Sequence, residues 1–108
     1  MDPQLKRGML EACVLTVLSH GDSYGYQMVK DMAACVEVSE STLYPILRRL
    51  EALGDLRVYS REHNGRLRKY YGITEAGRAH LDTLRGEWRQ VLKVYAFIME
   101  ETEGEPGE

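Results

Sequence analysis

The chain has 108 residues, of which 44% are hydrophobic and 29% charged, the composition of one ordinary soluble globular domain. This length excludes doubly wound sheets, TIM barrels and protein kinases, and a domain of this size buries only about two-thirds of its unfolded surface, which favours a partner subunit. The 14 basic and 17 acidic residues leave a net charge of −3, which on average argues against nucleic-acid binding.

The first two predicted elements are helices. Asp2 followed by Pro3 is typical of a helix start, and apolar residues at helical spacing predict a helix over residues 3–20 that ends before Gly21. Both faces of this helix are apolar, so we expect one face to serve the core and the other a partner chain. A shorter helix is predicted after the turn at residues 21–23, ending near Ala34.

The third predicted helix has the strongest pattern in the chain. From Ser41 onward, leucine and isoleucine recur at intervals of three and four residues until Gly54 supplies a stop. The opposite face is polar and carries hydroxyls, one aromatic ring and one arginine. Because proline lacks an N–H group, Pro45 is expected in the first turn, or else it leaves a carbonyl unpaired.

The hydrophobic period then changes to two. Residues 56–61 and 68–73 alternate apolar and polar side chains around an Asn64-Gly65 turn, which predicts a β-hairpin with a basic tip. Thr74 is expected to cap a last helix, in which apolar residues at alternating three- and four-residue spacing form a coiled-coil-like seam for a dimer. The seam consists of Leu81, Leu84, Trp88, Val91, Tyr95 and Ile98.

The predicted fold class is mainly α with a small β-hairpin, in the element order of a winged helix-turn-helix followed by a long C-terminal dimerisation helix. We expect residues 1–74 to form the DNA-binding domain, residues 75–99 the dimerisation helix and residues 100–108, with five acids, a disordered tail. Residues 42–78 hold eight bases and four acids, a net of +4, so the remainder carries −7. The positive charge therefore lies on the helix and wing that would face phosphates.

Four runs resemble the PadR family of bacterial transcriptional regulators: SYGYQMVK (23–30), SESTLYPILRRLEALGDL (39–56), GRLRKYYGITEAG (65–77) and GEWRQVL (86–92). The resemblance extends to about Met99 and is similar to the short subfamily with one C-terminal helix. It implies a homodimeric repressor whose last helix contacts the first helix of its partner. It also implies a candidate site for aromatic or cationic ligands between the subunits, where a tryptophan equivalent to Trp88 stacks on the ligand.

The candidate contacts to double-stranded DNA are hydroxyls and bases on the third helix and the wing. A serine at a helix start serves as a cap, as a phosphate contact or as both, and the tyrosines before the second helix either reach the backbone or pack internally. Arg48 is a candidate for reading guanine. The wing bases are predicted to hold phosphates, the alternative being a merely solvated hairpin. The candidates are Tyr24, Tyr26, Ser39, Ser41, Thr42, Tyr44, Arg48, Arg66, Arg68 and Lys69.

Trp88 has two interpretations. Plain packing in a closed interface is the simpler one. In the other, Trp88 stacks on an effector in a gap left by Gly8 and Ala12 of the partner's first helix, with Val91 beside it. Glu11 and Glu87 would then provide a preference for cations.

Two other functions fit parts of the sequence. Residues 21–25 match the G-x-S-x-G elbow of serine esterases, but only helical-looking residues precede it, so no catalytic residue is expected. A winged-helix dimerisation or adaptor module without DNA binding is the second alternative. Cys13 and Cys35 lack metal-ligand spacing and are expected in the core of a reduced, cytoplasmic protein with no cofactor, metal or membrane segment.

Overall fold

The computed structural model describes residues 1–101, and this part of the chain forms four helices and one antiparallel two-stranded sheet. The elements are α1 (Pro3–Ser19), α2 (Gly25–Met32), α3 (Glu40–Ala52), β1 (Leu56–His63), β2 (Arg66–Ile73) and α4 (Glu75–Met99). The predicted mainly α fold with one hairpin is therefore confirmed. Within the described residues, no helix combines the length and the apolar character needed to cross a membrane.

Local side-chain caps set the starts of three helices. Asp2, Ser39 and Thr74 each accept a hydrogen bond from a backbone N–H of the following turn, at 3.0, 3.2 and 3.0 Å. Such caps satisfy donors that have no partner inside the helix, so they determine where each helix begins. In α3 the cap is Ser39, and Ser41 already lies within the helix.

The core lies where α1, α2 and α3 meet. Each helix contributes an apolar stripe at helical spacing, and removal of these stripes from water supplies most of the driving force for folding. The wing closes the core through Tyr71 and Ile73 of β2, and α4 contributes one leucine from its second turn. The helical core side chains are Leu10, Val14, Leu15, Leu18, Met28, Met32, Leu43, Ile46, Leu47, Leu50 and Leu81.

The hairpin register follows from its turn. Asn64 and Gly65 have φ angles of 53° and 78°, the left-handed conformations that a two-residue turn requires, so the predicted turn is confirmed. The register pairs Tyr59 with Tyr70. Ser23 adds a short third segment by exchanging two backbone hydrogen bonds with Tyr71, at 3.0 and 2.8 Å, which attaches the wing to the segment before α2.

Most of α4 extends away from the core. Only Gly77 and Leu81 are buried, and the last two turns expose large apolar side chains to solvent. Phe97 is 83% exposed and Ile98 68%. The helix ends at Glu100, whose φ of 56° forms a left-handed cap, so the start of the predicted acidic tail belongs to the helix terminus. Residues 102–108 of that tail lie outside the described residues.

Two sequence predictions are wrong, and one of the two alternatives for Pro45 is decided. Leu81 is 3% exposed in the core of its own chain, so it does not belong to an exposed dimer seam. Pro45 lies inside α3 beyond the first turn, so the second alternative holds and the Ser41 carbonyl lacks its usual backbone partner. Cys35 is exposed rather than a core residue, whereas Cys13 is half-buried.

Candidate nucleic-acid interface

Three hydroxyls cluster at the start of α3. The Ser39 hydroxyl lies 3.0 Å from that of Ser41 and donates to that of Thr42 at 3.1 Å. All three residues are exposed at the positive end of the helix dipole. The Ser39 hydroxyl therefore caps α3 and is also one of the three exposed hydroxyls. Hydroxyls at a helix N-terminus can donate hydrogen bonds to phosphate oxygens.

A surface cleft of about 280 Å³ opens between the start of α2, α3 and the wing. Its lining contains five of the predicted DNA contacts, which the sequence places on three separate elements. The cleft is lined by Tyr24, Gly25, Tyr26, Glu40, Tyr44, Arg68 and Lys69. Two cations and three phenolic rings converge there, a combination that fits a nucleic-acid backbone.

Tyr44 and Gly25 bring α2 and α3 into close contact in this cleft. A Cβ at Gly25 would lie 2.7 Å from the Tyr44 hydroxyl oxygen, so a larger residue at this position would displace the Tyr44 ring. The Tyr44 hydroxyl donates to Glu40 at 2.9 Å. Partial burial and Glu40 together raise the pKa of Tyr44, which keeps the phenol protonated as a donor. A DNA acceptor would have to replace Glu40 at this hydroxyl.

An aromatic and arginine stack, which sequence reasoning missed, supports the basic side of the wing. The Tyr59 and Tyr70 rings are stacked at 5.8 Å, and Tyr24 meets Tyr70 edge-on at 5.5 Å. Arg68 lies 4.0 Å above the Tyr24 ring, and Arg61 lies 4.5 Å above that of Tyr70. Stacking holds the guanidinium planes in place while leaving their N–H groups free to donate.

The signal for this stack was present in the sequence. Strict alternation places Tyr59 and Arg61 on one face of β1, and the Asn64-Gly65 turn aligns them with Tyr70 and Arg68 of β2. The cross-strand pairs could therefore have been derived from the turn alone.

Asp22 anchors the base of the wing to the segment before α2. Its carboxylate accepts from the Tyr59 hydroxyl at 2.6 Å and pairs with Arg57 at 3.2 Å. The hydrogen bond to Asp22 raises the pKa of Tyr59. Arg57 also donates to the Ile73 carbonyl at 3.1 Å. Arg57 is thus used in folding, which distinguishes it from the wing bases that point to solvent.

The remaining predicted bases stay available to a partner. Arg48 and Arg66 are exposed, and within residues 1–101 neither they nor the two cations of the cleft form an ion pair. Arg66 follows the hairpin turn directly. Arg48 lies outside the cleft but close enough to Tyr71 to oppose the rise in that residue's pKa caused by burial and Glu51. Arg48, Arg66, Arg68 and Lys69 are therefore free to contact a partner, as far as residues 1–101 show.

The predicted ligand site around Trp88 was expected against the first helix of the partner. In the structure, Trp88 borders a cavity of about 640 Å³ together with Ala12 of its own α1, and it also borders a separate groove with Val91 and Tyr95. A Cβ at Gly8 would meet nothing within 4 Å. The predicted cation preference through Glu11 is wrong, because its buried carboxylate pairs with Arg49 of α3 at 2.5 Å.

The esterase match has no structural support. Ser23 is 8% exposed, its hydroxyl is buried without a hydrogen-bond partner in the described chain, and α1 precedes it where a nucleophile elbow needs a strand. His80, a histidine that follows the match in sequence, pairs with Asp55 at 2.5 Å. Among residues 1–101, no group of three or more His, Cys, Asp or Glu side chains could hold a metal ion.

A winged helix with its free cations on α3 and the hairpin defines a DNA-binding transcriptional regulator. The sequence model described as "Transcriptional regulator PadR-like family" matches residues 14–83. The chain therefore belongs to the PadR-like family, whose members regulate transcription by binding DNA and are not enzymes.

Comparison with individual proteins supports this assignment. The structure of smu.1704 from Streptococcus mutans is 40% identical with a TM-score of 0.79, covering 87% of this chain and 89% of that one. A PadR family transcriptional regulator from Eggerthella lenta is 33% identical with a TM-score of 0.80, covering 90% and 87%. "Uncharacterized protein X" of Lysinibacillus sphaericus is 32% identical over 99 residues, 87% of this chain and 91% of its own.

Proposed function

We propose that this chain is a homodimeric repressor in which α3 enters the major groove and the wing contacts the phosphate backbone of a pseudo-palindromic operator. The observation that carries this proposal is the cleft in which Tyr24, Tyr44, Arg68 and Lys69 converge beside the hydroxyls of α3. In a two-fold dimer, the two copies of α3 would lie about one DNA turn, ~34 Å, apart. A dimer over a promoter represses by occupancy, and a chromosomal operator implies a cytoplasmic location.

The test is a fluorescence-anisotropy titration with the DNA upstream of the protein's own gene, at several salt concentrations. Binding should weaken by orders of magnitude between ~50 and ~200 mM salt, as phosphate contacts release counterions. Arg66→Ala should weaken all sequences alike and reduce the salt slope by about 0.9. The control is Arg85→Ala, which removes the same charge from a residue that pairs with Asp82 on α4. Absent or salt-insensitive binding by a folded protein would instead favour the adaptor module.

Base reading is assigned to Tyr44 and Arg48, which lie one turn apart on the exposed side of α3. Replacing either residue with alanine should change the preference among operator variants as well as the affinity, because a base contact discriminates between sequences by about 1–3 kcal/mol. A uniform loss of affinity for all operator variants would refute this assignment.

The proposed dimer covers the apolar side of α4. Beyond Trp88, this helix exposes a continuous set of large apolar side chains, and Leu5 of α1 is also half-exposed. An apolar surface of this kind is unusual on a monomer and is the mark of an interface. The exposed large apolar residues of α4 are Val91, Leu92, Val94, Tyr95, Phe97, Ile98 and Met99. Four residues of the predicted seam, Trp88, Val91, Tyr95 and Ile98, lie on this part of the helix, whereas Leu84 packs against the core.

Ile98→Glu tests the dimer directly. The wild type should elute with twice its chain mass of 12.4 kDa in size exclusion with light scattering, and the variant should elute as a monomer with an unchanged helical spectrum. A buried unpaired carboxylate opposes association strongly, whereas the same residue is solvated in a free chain. Gln90→Glu adds the same charge to another exposed position of α4 and should remain dimeric. A variant at Ile98 that stays dimeric would place the interface elsewhere.

We further propose that a planar aromatic effector stacks on Trp88 in the 640 Å³ cavity. A cavity of this size fits a drug-like molecule. Because Glu11 is paired with Arg49, the carboxylate that would attract a cationic ligand is that of Asp31, which lines the cavity. Trp88 is the chain's one tryptophan, so its emission reports on this site alone. Saturable quenching by planar aromatic cations or phenolic acids is expected, and Asp31→Asn should weaken only the cations. No quenching by any of them would favour a closed interface.

A further inference from the structure

The two cysteines meet in space although they stand at positions 13 and 35 of the sequence. Cys13 is half-buried on α1, and Cys35 is exposed in the connection between α2 and α3. Both side chains line the cavity that also contains Trp88. Burial and the hydrogen-bonding and charge interactions with Cys35 raise the pKa of Cys13 to about 11. The two thiols therefore share one cavity and interact with each other.

The backbone around Cys35 holds it in this position. The N–H groups of Cys35 and Val36 both donate to the Met32 carbonyl, at 3.0 and 2.8 Å, which extends the end of α2 by a tight turn. Met32 is a core residue, and Val36 packs against the same core. The turn that carries Cys35 is thus anchored on the cavity that α1 also lines, which keeps the two cysteine-bearing segments together.

We propose that Cys13 and Cys35 form a reversible dithiol–disulfide pair that is oxidised by peroxides. The exposed Cys35 thiolate attacks the peroxide O–O bond and becomes a sulfenic acid, and the released oxygen leaves as water after protonation. Cys13 then gives up its proton, its sulfur attacks the Cys35 sulfur, the S–OH bond breaks, and a second water leaves. The two thiols lose two electrons to the peroxide, and a thiol reductant reverses the reaction.

The different environments of the two thiols assign their order of reaction. A thiol with a pKa of about 11 is almost entirely protonated at neutral pH and half-buried, so Cys13 is a poor first nucleophile. Its neighbour reaches solvent. Cys13 is suited instead to resolve an oxidised Cys35, because proximity replaces intrinsic reactivity in an intramolecular step.

The crosslink would join α1 to the turn that leads into the DNA-reading helix. The loop it closes contains all of α2 and both Tyr24 and Tyr26. Restricting this loop in the unfolded chain should raise Tm, on the order of 10 °C. An effect of oxidation on operator affinity would rest on the proposed function, whereas the crosslink itself does not.

The test uses the full reduced chain, excess hydrogen peroxide, N-ethylmaleimide to trap remaining thiols, and mass spectrometry of the intact protein and its peptides. The expected product is a single chain, without an interchain disulfide, that is lighter by two hydrogens and carries no maleimide. Its digest should contain a peptide that links Cys13 to Cys35, and dithiothreitol should restore the starting mass. In Cys13→Ser, Cys35 should accumulate as a sulfenic acid that dimedone traps. In Cys35→Ser, Cys13 should remain reduced. Before oxidation, iodoacetamide should label Cys35 faster than Cys13.

Two results would overturn the proposal: both cysteines taking up maleimide after peroxide treatment, or Cys35 forming disulfides only between chains while Cys13 stays free. Circular dichroism of each serine variant establishes that it is folded. Operator binding measured on the reduced and oxidised protein separates the two proposals. A disulfide in a protein that never binds DNA would refute the proposed function alone, and DNA binding without a disulfide would refute the thiol pair alone.

Discussion

Replacing Gly77 with alanine is expected to destabilise the protein at the junction that holds α4 against the wing. Gly77 is buried in the first turn of α4, and its N–H donates to the Thr74 hydroxyl at 3.0 Å. A Cβ at this position would overlap the Asp55 carbonyl oxygen and lie 2.8 Å from Ile73 Cγ1. The Asp55 carbonyl already accepts from the Thr74 N–H at 2.9 Å, so it has little freedom to move away.

The magnitude follows from two opposing terms. Alanine in place of glycine stabilises a helix interior by up to about 1 kcal/mol. Overpacking of a tight site costs about 1–3 kcal/mol, and contact with fixed backbone puts Gly77 at the upper end of that range. The net loss is therefore about 2 kcal/mol, which for a chain of this size lowers Tm by roughly 10 °C.

Gly86 on the same helix provides the matched control. A Cβ there meets nothing within 4 Å, so Gly86→Ala retains the helix gain without the steric cost and should raise Tm by about 4 °C. Thermal and urea unfolding followed by circular dichroism, at one protein concentration because association would shift Tm, measures both variants. If Gly77→Ala unfolds at the same temperature as Gly86→Ala, the close approach of α4 to the hairpin junction is refuted.

Three further outcomes are expected. Arg49→Ala should cost about 1–3 kcal/mol in urea unfolding, because the Glu11 carboxylate, 8% exposed, loses its partner; a change below 0.5 kcal/mol, roughly the surface average, would contradict that. Burial raises the pKa of Tyr71, so its contribution to stability is complete below pH ~10 and is lost as pH rises further. Tyr71→Phe should flatten that alkaline slope. Arg68→Gln, which removes the cation above Tyr24, should lower the salt slope of DNA binding by about 0.9, whereas Arg68→Lys should preserve it.

Local signals in the sequence predicted the elements and much of the candidate site. Asp2 and Thr74 cap the helices they were expected to cap, and Asn64-Gly65 forms the predicted turn. These signals depend on side chains within four residues of one another, so no long-range information is needed. Five of the ten predicted DNA contacts, from α2, α3 and the wing, also meet in one cleft, because the expected element order brings those three elements together.

Two of the errors concern which partner a side chain finds. The three- and four-residue spacing from Leu81 to Ile98 identifies one apolar face of α4, but it does not show that the core of the same chain covers Leu81. Glu11 carries a carboxylate of the kind that binds cationic ligands. In the structure this carboxylate is paired with Arg49, which lies 38 positions away in the sequence. A periodic pattern reports exposure to an apolar environment and says nothing about what supplies that environment.

The sequence by itself therefore determined the order and limits of the elements, the location of the positive charge and the family, since caps, periods and turn residues act over a few positions. Only the tertiary structure decided which contacts those elements make. Packing of α1 against α3 pairs Arg49 with Glu11, packing of the wing against the segment before α2 places Arg68 over Tyr24, and the turn after α2 places Cys35 on the cavity that Cys13 also lines. Each depends on two distant segments meeting in three dimensions, which no local propensity encodes.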